Sequence, residues 1–262
     1  MHIRLKAAWL ALALGAFALP TVVSAQEEPT PLAAELPVDI HLEDVTLTDA
    51  EATADAEEAP SVDADAIADM EETPSEIAVQ MANWVIASGD NGGLPFMIID
   101  KVAAEVVVFD AQGERLGMAP ALLGVAFGDD SSPGVGDREL SDIAPEDRTT
   151  PAGRFVAKSG IASGNRKVLW VDYATAISLH PVVTGNKKER RLQRLKSPSP
   201  EDNRITYGCI NVSVAFYTKI VRPLFSETAG VVYILPETKP LNEVFLAYRA
   251  QEQSGSSRDA SH

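Results

Sequence analysis

Cys209 and His180 are the residues around which reaction chemistry can be built. Cys209 is the single cysteine of a 262-residue chain and lies in Thr206-Tyr207-Gly208-Cys209-Ile210-Asn211, between a glycine and an apolar residue and ahead of a helix-like segment. An unpaired cysteine is buried and inert, bonded to another molecule, or kept as a reactive thiolate. The local sequence favours the thiolate: Gly208 permits a close turn beside the sulfur, and Asn211 or Ser213 can cap the following helix, so that the thiol would face a helix N-terminus. Of the four histidines, His2 lies in the leader, His41 in an acidic segment and His262 at the last position, which leaves His180 in the part that can fold. An imidazole beside a thiol stabilises the thiolate and later protonates a leaving amine. The alternative is a small buried cysteine and an unrelated surface histidine.

The elements that would position this pair follow from the chain order. Residues 1–25 read as an export signal: Arg4 and Lys6, an apolar run from Ala7 to Leu19, and Val23-Ser24-Ala25 as a cleavage site. The apolar run is short for a bilayer and ends at Pro20, so no stable membrane insertion is expected after cleavage, and the mature chain is placed in the periplasm or cell envelope. Residues 26–72 hold 16 Asp and Glu and no Lys or Arg, and so account for the whole formal charge of −16. With no aromatic residue, this stretch reads as an acidic disordered linker. The acidity therefore says little about the ligands of the remainder. Residues 73–252 form the folding domain and 253–262 a flexible tail.

Within that domain Thr73-Pro74-Ser75-Glu76 predicts a helix start, and Ile77, Met81, Trp84 and Val85 recur at helical spacing up to about Ser88. Extended runs follow at 95–100, 105–110 and 117–127, a hairpin pattern that implies a largely antiparallel sheet. Residues 128–147 read as a surface loop in which Asp129 and Asp130 form a solvated turn, since their spacing fits no EF-hand. Strands are expected after Thr149, at 168–171 and at 176–180, with His180 at a strand end facing a cleft. A helix over 214–225 is expected to carry Ala215, Ile220, Val221 and Leu224 inward and to kink or end near Pro223; a strand at 230–236 and a helix at 241–251 close the domain. Six cations between Lys187 and Lys196 sit in the insert between His180 and Cys209. They form either a solvated face or a border that gathers anionic substrate, with Arg190 and Arg191 among the contacts. The run has no interleaved aromatics, which argues against nucleic acid, and the domain has no cluster of metal ligands.

Taken together, His180, then Thr206-Tyr207-Gly208-Cys209-Ile210-Asn211, and upstream Thr150-Pro151-Ala152-Gly153-Arg154-Phe155, resemble the signature of the L,D-transpeptidase (YkuD-like) catalytic domain over roughly residues 93–236. The resemblance implies a mainly β fold with flanking helices, a β-sandwich or barrel with a helix after the cysteine. It also implies an exported cysteine acyltransferase acting on peptidoglycan stem peptides without a cofactor or metal. Carried over, Cys209 is the nucleophile and His180 the base. The backbone around Tyr207 and Gly208 supplies the oxyanion donors, and Thr206 and Asn211 lie on the substrate side, with Asn211 orienting the loop. Two departures stand out: Tyr207 replaces the motif histidine, and 25 residues separate His180 from Thr206. They leave the acyl acceptor open, so an L,D-carboxypeptidase or other hydrolase, or a catalytically silent wall-binding module, stands as the alternative. Oligomeric state is not legible in the sequence.

Overall fold

The computed structural model describes residues 73–248, so the leader, the acidic segment, the tail and the end of the expected closing helix lie outside the described residues. The fold is mainly β with flanking helices. Helix α1 (Glu76–Ser88) opens it and is capped by Ser75, whose hydroxyl accepts from Ala78 N–H at 3.2 Å. Thr73 had the motif spacing, but Ser75 takes the cap because its hydroxyl is also held by Asp100 at 2.6 Å. Gly89, at φ +67°, ends the helix in the left-handed conformation that a side chain would resist.

Strands β1 (Phe96–Asp100), β2 (Glu105–Phe109) and β3 (Arg115–Pro120) form an antiparallel meander. The short β4 (Leu123–Gly124) leaves it, so the run expected at 117–127 is split in two. After the loop come β5 (Gly153–Ala162), β6 (Arg166–Asp172) and β7 (Ile177–Pro181). The insert contributes α2 (Arg191–Arg194), and β8 (Arg204–Thr206) and β9 (Ile210–Val212) flank the cysteine. The last strand is β10 (Gly230–Ile234).

Eight strands make one sheet in the order β3-β2-β1-β10-β5-β6-β7-β9, while β4 and β8 pair separately. The sheet is mixed rather than largely antiparallel: β1 with β10 and β7 with β9 run parallel, as do β4 and β8. Both parallel pairs in the main sheet join strands far apart in sequence, which local hairpin patterns cannot reveal.

Two apolar layers sandwich the sheet's meander and β10. Met97, Ile99, Val106, Val108, Val232 and Ile234 point to one side, and Phe96, Ile98, Val107, Phe109, Val231 and Tyr233 to the other. This period of two along fully buried strands explains their unbroken apolar runs. The second side is covered by α1 through Ala78, Met81, Ala82, Trp84 and Val85. The first is covered by a continuous helical segment: α3 (Val214–Phe216), a π-turn (Tyr217–Val221) and α4 (Arg222–Phe225). The wider π-turn shifts the inward stripe, so Phe216, Tyr217, Val221 and Phe225 are buried while Ala215, Ile220 and Leu224 are only partly so. Pro223 sits in the turn after the π-turn, where the helix continues to Phe225. The closing segment α5 (Leu241–Val244) is interrupted at Phe245, whose ring is buried.

The expected solvated turn at Asp129 is instead a buried ion cluster. Lys101, with no exposed side-chain surface, donates to Asp129 at 2.8 Å and to the carbonyls of Gly128 and Thr150. Glu237 and Arg204 complete the cluster. Asp129 also accepts from the backbone N–H groups of Glu237, Thr238 and Lys239. Burial pushes its carboxyl up, but the Lys101, Thr238 and backbone hydrogen bonds outweigh that and hold it well below the usual carboxylate range. Asp130 is the exposed member, paired with Lys239.

Candidate active site

The parallel pairing of β7 with β9 sets His180 opposite Asn211. Side chains at paired positions share a face of the sheet, so the two meet: Asn211 Nδ2 lies 3.0 Å from His180 Nε2. The other ring nitrogen, Nδ1, lies 2.8 Å from the Pro181 carbonyl oxygen. A carbonyl only accepts, so Nδ1 carries the proton and Nε2 presents a lone pair.

Cys209 lies just before β9. Its sulfur is 3.6 Å from Ser178 Oγ and 3.7 Å from the Ala176 carbonyl oxygen, both contributed by the start of β7. Burial pushes the thiol pKa up, yet the hydrogen bond and charge of His180, with Ser178, more than offset it and leave the thiol below its ordinary value. The site therefore holds a sulfur poised to ionise and an imidazole whose Nε2 lone pair accepts from the Asn211 amide.

The turn that presents the sulfur is tied down at every residue. Gly208 has φ +123°, and a Cβ there would stand 2.7 Å from the Thr149 carbonyl oxygen and 2.8 Å from Ile177 Cδ1, so only glycine fits. Its carbonyl accepts from Thr150 Oγ1 at 2.8 Å, and the same hydroxyl accepts from Gly124 N–H at 2.9 Å. Thr206 Oγ1 accepts from Gly208 N–H at 3.1 Å and donates to the Cys209 carbonyl at 2.6 Å. The half-buried Tyr207 ring lies under the Arg148 guanidinium, 3.9 Å from its carbon.

The structure brings Cys209, His180 and Asn211 together, with Thr206, Tyr207 and Gly208 forming the turn. Thr206 serves the turn's own backbone, and the Gly208 N–H is spent on Thr206. Ser213, not Asn211, caps α3, accepting from Phe216 N–H at 3.1 Å. Because β9 intervenes, roughly 10 Å of extended chain separates the sulfur from that helix start. The thiol therefore does not face the helix N-terminus, and its acidity comes from His180 and Ser178.

Arg190 and Arg191 part company. Arg190 is exposed and bonded to Gln193, whereas Arg191 turns inward, pairing with Glu189 and donating from Nη1 to Asn211 Oδ1 at 2.8 Å. Arg194 is also engaged, on the carbonyls of Glu189 and Asp202. Buried Leu195 packs with Leu122 and Val182, so the insert is docked against the fold. Ser178 and Pro181 belong to no motif, so neither position stands out along the chain. Thr150 was signalled by the Thr-Pro-x-Gly-x-Phe pattern, but its partner became visible only once β4 and the Gly208 turn were in place.

No family model matches the chain, and no curated protein matches it. Solved structures do. The similarity is to L,D-transpeptidases. The L,D-transpeptidase LdtMt1 in complex with imipenem is 17% identical, with 54% of this chain and 58% of that chain covered, at a TM-score of 0.31. The L,D-transpeptidase from Mycobacterium smegmatis is 16% identical, over 53% of this chain and 58% of that one, at 0.30. The helical cell shape determining protein Pgp2 from Campylobacter jejuni is 15% identical, over 60% and 56%, at 0.38. This chain thus spans less than three-fifths of the length of each of these structures.

Proposed function

We propose that the chain is a cysteine acyltransferase of the L,D-transpeptidase type acting on peptidoglycan stem peptides in the cell envelope. One observation carries this reading: the single thiol has its pKa lowered by a histidine whose Nδ1–H is anchored on the Pro181 carbonyl and whose Nε2 accepts from the Asn211 amide. The substrate class comes from the resemblance of the two motifs and from the leader-like first 25 residues.

In this reading Cys209 Sγ attacks the carbonyl carbon of a stem peptide bond. The thiol proton passes to His180 Nε2, which gives up its hydrogen bond from the Asn211 amide, the C–N bond breaks, and the imidazolium delivers that proton to the departing amine, leaving a thioester on Cys209. An acceptor amine then attacks the thioester, with His180 again taking a proton, and the thiol is regenerated. The developing oxyanion needs N–H donors beside the sulfur. Since the Gly208 N–H is engaged by Thr206, the donors assigned are those of Tyr207 and Cys209. No side chain of this set calls for a cofactor or metal. Among the described residues no helix is long and apolar enough to cross a membrane.

The experiment is incubation of the purified chain with tetrapeptide-bearing sacculi, followed by muropeptide analysis. Cross-linked products that vanish in Cys209→Ala are expected. Tripeptides alone would replace the transferase reading with a hydrolase, and unchanged material would overturn both.

A further inference from the structure

Arg148 is a half-buried cation beside the cysteine turn, and its terminal nitrogens have no partner among the described residues. Its Nε donates to the Ile143 carbonyl at 2.9 Å, and its guanidinium carbon lies 3.9 Å from the centre of the Tyr207 ring. The other guanidinium side chains that are not exposed, among the described residues, belong to Arg138, Arg191, Arg194 and Arg204. Each commits a terminal nitrogen to a fixed acceptor: Arg138 to Asp147, Arg191 to Asn211, Arg194 to the Asp202 carbonyl and Arg204 to Glu237. Arg148 has no carboxylate partner within the described residues. Its neighbour Asp147 is already engaged by Arg138 and Ser132.

The position of this cation is set from both ends of the side chain. At the main chain, the Arg148 carbonyl accepts from Ala126 N–H at 3.2 Å, and two residues on, Thr150 Oγ1 donates to the Gly208 carbonyl. The segment that carries the guanidinium is thereby tied to the turn that carries the sulfur. At the tip, Tyr207 stands where the motif has histidine and supplies an aromatic face that holds the cation without neutralising it. Cys209 follows Tyr207 by two residues, about 7 Å of chain at most, so the uncommitted nitrogens border the place where a substrate carbonyl meets the sulfur.

A guanidinium held in this way is preorganised for a planar anion, because its parallel N–H groups match the two oxygens of a carboxylate. Stem peptides carry free carboxylates on D-glutamate, on diaminopimelate and at a C-terminal D-alanine. We propose that Arg148 receives one of these carboxylates, with the Tyr207 ring as its platform. Arg148 is then a specificity residue: it reads the acid groups of the stem and takes no part in proton transfer. The inference rests on the proposed substrate class.

The test uses the full chain carrying Cys209→Ala, so that no acyl transfer occurs, and calorimetric binding of a soluble stem tetrapeptide. Companion peptides are amidated singly at D-glutamate, at diaminopimelate or at the C-terminal D-alanine. One of these amidations should weaken binding about tenfold, the scale of a charge-assisted hydrogen bond at a partly solvated site, and so name the carboxylate. In Arg148→Met the same amidation should have no effect. The affinity of that variant for the amidated peptide should match the parent's, which a chain that failed to fold would not show. Arg148→Lys, a point charge without the fork, should keep only part of the preference, and an undiminished one there counts against the assignment. Absence of binding, binding that no single amidation weakens, or a penalty equal in the parent and in Arg148→Met would overturn it. Cross-linking of sacculi together with a penalty that ignores Arg148 would leave the proposed function standing without this assignment. Arg148-dependent binding by a chain that leaves sacculi unchanged would do the reverse.

Discussion

Replacing Thr150 by valine removes one hydroxyl and keeps the shape of the side chain. That hydroxyl is completely buried, donates to the Gly208 carbonyl at 2.8 Å and accepts from Gly124 N–H at 2.9 Å. A Cβ on Gly124 would meet the Arg148 carbonyl oxygen at 2.2 Å and Thr150 N at 2.8 Å, so there is no room for a water to take over. The valine chain would therefore leave one buried acceptor and one buried donor without partners. At about 1–3 kcal/mol for each, the loss of stability should be about 2–6 kcal/mol, with almost no cavity contribution. Thr150→Ser keeps both hydrogen bonds and loses one methyl, which costs only about 1 kcal/mol. Urea unfolding followed by tryptophan fluorescence gives both values. The rate of Cys209 alkylation reports separately on the turn, and it should fall in the valine variant more than in the serine one. A loss below about 0.5 kcal/mol for Thr150→Val, the range of ordinary surface changes, would refute the claim that this hydroxyl ties β4 to the cysteine turn.

The buried Lys101 and Asp129 pair predicts that Asp129→Asn destabilises the fold by about 3–5 kcal/mol, since it leaves a buried ammonium without its counter-ion; thermal unfolding measures it. Because the Asp129 carboxyl is depressed in the folded state, its contribution is complete above the unfolded value of about 3.9 and is lost as pH falls below that toward the folded value, so the wild-type advantage over Asp129→Asn should shrink on acidification. For Cys209, the midpoint of alkylation rate against pH should lie below the ordinary thiol value of about 8.5, and His180→Ala should move it upward because burial is then opposed only by Ser178; equal midpoints in the two chains would sink the dyad. Lys187, Lys188, Arg190 and Lys196 are the exposed cations of the insert, and changing them together to Gln should raise KM for stem peptides while sparing kcat, with the difference fading as salt screens charges beyond about 8 Å.

Much of the fold was legible along the chain because it depends on local periodicity. The α1 stripe, the apolar runs of β1, β2 and β10, and the glycine at Gly208 each express a constraint that acts within a few residues. The uniqueness of Cys209 and the place of His180 also needed nothing more than the sequence. What could not be read were the pairings between distant segments. The parallel partners β1 with β10 and β7 with β9 lie far apart in the chain, and it is the second of these that sets Asn211 against His180. Asp129 looked solvated because its neighbours are turn formers, and only the burial of Lys101 makes it an ion-pair partner. Arg191 sits in a run of like charges whose spacing alone allows either a solvated face or a border that gathers substrate. Docking of the insert through Leu195 turned one of them inward, onto Asn211, and left its neighbour Arg190 outside. Residue type and spacing thus determined which groups can react, whereas the orientation of the imidazole, the supports of the cysteine turn and the division of the basic run were decided by contacts that exist only after the strands have paired.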